Sequence, residues 1–139
     1  MAKKQQKRWV YSPGKPQPPK ISETFKAEVE RRGQVLVDTV LKPRYVQPAP
    51  EDPQFNYIVD VYVRWYRHFF YFCAKYCNAG PYAIGVDFEA RIARLDYIGN
   101  ERFNLSYQRH NDQWMTIYND LSLDECLTAV RDDPWFIIA

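Results

Sequence analysis

A chain of 139 residues, 46% hydrophobic and 17% aromatic, has the size of one domain with a tail and can bury a core without metal or disulfide support. Its formal charge of +2 is uneven: residues 1–20 carry six cations and no acid, which leaves 13 basic against 17 acidic side chains in residues 21–139. Three cysteines cannot all pair within the chain, and neither a leading apolar segment nor a run near ~18 apolar residues is present, so a secretory signal and a membrane span are excluded and a reduced, soluble, cytoplasmic protein is expected.

Residues 1–20 hold Pro13, Pro16, Pro18 and Pro19 and show no hydrophobic period. They are expected to form a flexible basic arm of polyproline character, interrupted by Trp9, Val10 and Tyr11. Residues 21–139 are expected to form a single α+β domain.

Ser22 is a candidate N-cap, with Glu23 in the first turn where the helix dipole favours an anion. Phe25, Val29, Leu36 and Val40, with Val37 and Leu41 beside them, make one helical stripe. Gly33 weakens the middle of that helix unless something packs closely there. Pro43 is expected to end it near Leu41 or Lys42. The prolines that follow read as a rigid connection.

From Tyr57 the period changes to two. Tyr57, Val59, Val61, Val63 and Trp65 are expected on one face, and Ile58, Asp60, Tyr62, Arg64 and Tyr66 on the other. A reversal near Arg67 and His68 leads into a second strand, Phe69 to Cys77. Both faces of this hairpin are apolar enough to need cover: the first helix on one, and the arm, a loop or another subunit on part of the other. After the breaker Asn78-Ala79-Gly80-Pro81, Phe88 to Ile98 reads as a third strand, with a phase slip between Ile92 and Leu95 that suggests a bulge. Gly99-Asn100 marks a turn into a fourth strand around Phe103, Leu105 and Tyr107. His110-Asn111-Asp112 turns into a short fifth, Trp114 to Tyr118.

Ser122 and Glu125 have capping-box spacing, with Leu121 and Cys126 at the staple positions. Cys126, Leu127 and Val130 are expected to face the core, and Pro134 to stop the helix. The sum is an N-terminal helix, an antiparallel meander of about five strands and a short C-terminal helix.

The run from Ala93 and Tyr97 through Leu105, Tyr107 and Arg109 to Trp114 and Tyr118, then Leu121 to Leu127 and Asp133-Pro134, resembles a family of small bacterial proteins catalogued only as a domain of unknown function. The resemblance implies an intracellular bacterial protein. It brings no catalytic residue, because that family has none assigned.

No reactive centre is legible in the chain itself. Cys73 and Cys77, four apart in a strand, stand roughly 13 Å apart, too far to bridge or to share a metal. His68 and His110 fall in turns away from any cysteine motif, and no glycine-rich phosphate loop exists. Asp60 is expected to pair with Arg64 as a structural ion pair. No catalytic, cofactor-binding or metal-binding residue is therefore assigned, and no membrane contact is expected. The leading expectation is a non-enzymatic interaction or structural module that self-associates, as a homodimer, through an aromatic sheet face. The alternative is a protein associated with single-stranded nucleic acid, its basic arm holding phosphates and its aromatic and arginine side chains stacking bases. The candidate contacts for either are Lys3, Lys4, Lys7, Arg8, Trp9, Tyr62, Arg64, Tyr66, Arg91, Arg94, Tyr107 and Arg109.

Overall fold

Ser22 opens the first helix as its spacing predicts: its hydroxyl accepts the Phe25 amide at 3.1 Å. Helix α1 runs Glu23–Leu36 and passes through a π-helical turn, Val37–Leu41, into a short α2, Lys42–Tyr45. These belong to a computed structural model that describes residues 18–46, 48, 56–78 and 87–138; Lys3, Lys4, Lys7, Arg8 and Trp9 lie outside them. Pro43 does not end the helix where expected. The π turn before it is one residue wider, with the Lys42 amide donating to Val37 O, and so gives room to a ring that would press on a normal preceding turn. The wider turn also moves the buried stripe, so that Val37 and Leu41 are buried while Val40 is only partly so.

The sheet is an antiparallel meander, β1 (Tyr57–Tyr66), β2 (Phe69–Cys77), β3 (Asp87–Gly99), β4 (Arg102–Gln108) and β5 (Trp114–Ser122), in that spatial order. Arg67 at φ 56° makes the two-residue reversal between β1 and β2. Between β3 and β4, Asn100 and Glu101 both take positive φ, as the tightest hairpins require. The fold class is α+β.

One sheet face carries the core. Val61, Phe70, Phe72, Ala93, Leu95, Phe103 and Leu105 have no exposed surface. Above them lie Val29, Leu36, Val37 and Leu41 of the first helical segment, and Leu123, Cys126 and Val130 of α3 (Leu123–Asp132). The turn Pro134–Phe136 closes the same face by burying Phe136.

Bulges set which residues reach that face. In β3, Phe72 pairs with Ala93 and Cys73 with Arg91, so Ile92 is the extra residue and the cause of the expected phase slip. In β1 the register passes from Ile58 to Asp60 and leaves Val59 over. Ile58 therefore joins the core face instead of sharing a face with Asp60, and is 8% exposed. Strand β5 is longer than expected because Asp120 sits at φ 59° and continues the pairing through two irregularities.

The capping box of α3 is complete, with Ser122 Oγ accepting the Glu125 amide and Glu125 accepting the Ser122 amide. Its buried residues are Leu123, Cys126 and Val130; Leu127, expected among them, is half-buried at the edge. A first helical position that is apolar reaches the core here because the chain enters α3 straight from β5.

Candidate functional site

No helix lies over the second sheet face among the described residues. Its rows follow from the strand register: Tyr62, Arg64 and Tyr66 of β1, Phe69, Tyr71 and Cys73 of β2, Glu89, Arg91, Arg94 and Asp96 of β3, Ser106 of β4, and Trp114 and Thr116 of β5. The face covers itself with arginines and rings. The guanidinium carbons of Arg64 and Arg91 stand 5.8 and 5.0 Å from the Tyr71 ring centre, and that of Arg94 is 4.5 Å from Phe69 and 4.8 Å from Trp114. Tyr71 and Trp114 meet at 5.7 Å. Such contacts hold a guanidinium by its flat, weakly hydrated surface.

The Glu89 carboxylate serves Arg64 and Arg91 of this group. Glu89 accepts the Tyr62 hydroxyl, accepts Arg64 Nη2 at 3.0 Å, and stands 3.8 Å from Arg91 Nε. Burial and the bond to Glu89 push the Tyr62 hydroxyl well above the usual tyrosine range. Arg94 makes no ion pair with any described residue, and its Nε is buried without a hydrogen-bond partner, as is Arg64 Nε. Asp96 instead pairs with His68 Nε2 at 3.3 Å; burial raises its pKa, opposed by the charges of His68 and Arg94.

The expected contact residues divide. Tyr62, Arg64, Tyr66, Arg91 and Arg94 share this open face. Tyr107 lies on the opposite, covered face, its ring 5.0 Å from Trp135, and Arg109 lies in the β4–β5 connection with Nη1 3.3 Å from Met115 Sδ. Asp60 does not take Arg64 as expected: it pairs with Lys42 at 3.4 Å and accepts the Val61 amide, and Arg64 turns to Glu89. Phe69, Tyr71, Trp114 and Glu89 complete the cluster and were not assigned from sequence. Glu89, which alternates with Arg91 on one strand, was legible from sequence as an acid partner of the strand arginines, though not as a contact residue.

Among the described residues, no three His, Cys, Asp or Glu side chains stand together as metal ligands. Cys73 and Cys126 are buried, which raises their thiols to about 11 and about 12. A cleft of about 490 Å³ between the start of α1 and the start of α3 is lined by the Arg32–Asp124 ion pair and by neither histidine nor cysteine. No described helix is long and apolar enough to cross a membrane.

A family model described as a domain of unknown function (DUF3024) matches residues 21–138. The chain belongs to the DUF3024 family. Neither the curated proteins nor the solved structures searched contain a match to it. Within this DUF3024 domain, the residues that carried the resemblance are mostly scaffold: Ala93, Tyr97 and Leu105 are buried in the core. Tyr118 donates its hydroxyl to Asp133, whose other oxygen accepts the Trp135 amide and starts the turn at Pro134. Trp114 is the exception, since it belongs to the open face.

Proposed function

We propose that this DUF3024 domain is a non-enzymatic binding module whose open sheet face takes single-stranded nucleic acid. The supporting observation is the arginine–ring layer, in which Arg64, Arg91 and Arg94 cluster around Tyr71, Phe69 and Trp114, with Glu89 pairing to Arg64 and Arg91. Guanidinium edges suit phosphate oxygens, and guanidinium planes and ring margins suit unstacked bases. A second copy of the chain is the weaker occupant. Across a two-fold axis only the guanidiniums near the axis would meet their own copies. Pro19 stands beside Gly99 at the β3–β4 turn.

Fluorescence anisotropy of a labelled oligothymidylate against the full chain tests the reading. With about three phosphate contacts, affinity falls roughly 20-fold between ~50 and ~200 mM salt. Arg91→Ala with Arg94→Ala should weaken binding more than removal of any two arm lysines. Two outcomes overturn the proposal: an absence of binding at low salt, or binding that depends on the arm and is untouched by the face variants. A concentration-dependent dimer that the face variants dissociate would assign the face to a second copy instead.

A further inference from the structure

We infer that Glu89 is an internal competitor for the ligand's phosphates, holding in the free domain the donors that an anion takes in the complex. This rests on the open face being the nucleic-acid surface. Glu89 stands opposite Lys75 on β2, the ammonium that strand pairing offers it. Yet Lys75 pairs with Asp87 at 3.5 Å, and the Glu89 carboxylate reaches across β2 to Tyr62 and Arg64 on β1. It thereby gathers a phenol hydroxyl and two guanidiniums from two strands, a donor set that fits the oxygens of one phosphate as well as those of a carboxylate. With Glu89 seated, Arg64 and Arg91 are partly neutralised and Arg94 alone is unpaired. A phosphate that enters must displace the carboxylate, and a tethered carboxylate competes at high effective concentration.

Two variants separate this contact from a simple change of charge. Glu89→Asp keeps the charge but shortens the side chain by one methylene, so that it falls short of Tyr62 and Arg64. Asp87→Asn removes one negative charge from the same face at a group that meets Lys75 and none of the arginines. In the full chain, Glu89→Asp and Glu89→Gln should each bind oligothymidylate roughly threefold or more tightly than the native protein. Asp87→Asn should give a smaller gain than Glu89→Gln. Circular dichroism should show all three variants folded. Equal gains for Glu89→Gln and Asp87→Asn, or no gain for Glu89→Asp, would overturn the role of Glu89 while leaving the binding face intact. Binding by neither the native chain nor any variant would remove both.

Discussion

Gly33 lies against the ring of Phe70. A Cβ built on Gly33 would stand 2.7 Å from Phe70 Cζ and 2.8 Å from Cε2. The residue that looks like a weak point of α1 is thus a place where the helix comes close to the sheet, and Phe70 has no exposed surface into which to move. Helix propensity alone would make Gly33→Ala stabilising by about 1 kcal/mol, but overpacking a closed core costs about 1–3 kcal/mol. Net destabilisation of about 1 kcal/mol is expected in urea denaturation. Combined with Phe70→Leu, the alanine should cost less than it does alone, because the smaller side chain vacates the contact.

The C-terminal helix depends on its cap and on three buried side chains. Ser122→Ala should cost about 1 kcal/mol through the lost bond to the Glu125 amide. Leu123→Ala should cost roughly 2–5 kcal/mol, since Leu123 is 7% exposed, and Leu127→Ala distinctly less at its half-buried position. Denaturation midpoints of the three variants check that order, and a Leu127 change costlier than the Leu123 change would mean a different face of α3 is docked.

Thiol reactivity follows from burial. Cys77 is half-buried, whereas Cys73 and Cys126 are buried with thiols raised to about 11 and about 12 from an ordinary 9.0. At pH 8, mass spectrometry after iodoacetamide should find Cys77 labelled first and the other two only upon unfolding. The sign for stability is fixed by the raised folded values. Below pH 9 both states keep their thiol protons and the full stability is present. As pH rises from 9 to about 12 the unfolded chain loses protons that the native chain retains, so stability should fall across that window.

Local signals were legible where one residue settles the geometry. Ser22, the Ser122–Glu125 box, the Arg67–His68 reversal and the turn after Gly99 each fix a backbone group or a φ angle within a few residues. What was not legible depends on partners distant in sequence. Val59 drops out of register only because β2 pairs around it, and that moves Ile58 to the core. Strand β5 continues through Asp120 because Arg102 holds both its carboxylate and its carbonyl while Asn104 accepts its amide. Pro43 continues a helix because a π turn precedes it.

The same limit explains the split in the contact residues. Arg91, Arg94, Tyr107 and Arg109 have the right chemistry for one surface, but a bulge on β3 and the strand register decide which side each faces. Alternation cannot supply that when both faces are rich in aromatics. Tyr71 and Trp114, which are not among the candidate contacts read from sequence, are rings that hold Arg64, Arg91 and Arg94 in place.

The central claim is that the open face, not the helical face, is where this domain makes contact. Amide and indole NMR spectra of the full chain titrated with oligothymidylate test it most directly. The account predicts that shifts concentrate at Arg64, Tyr71, Glu89, Arg91, Arg94 and the Trp114 indole, with α1 and α3 unmoved. Shifts confined to α1, α3 or the Trp135 indole, or none beyond the arm at saturating oligonucleotide, would contradict it.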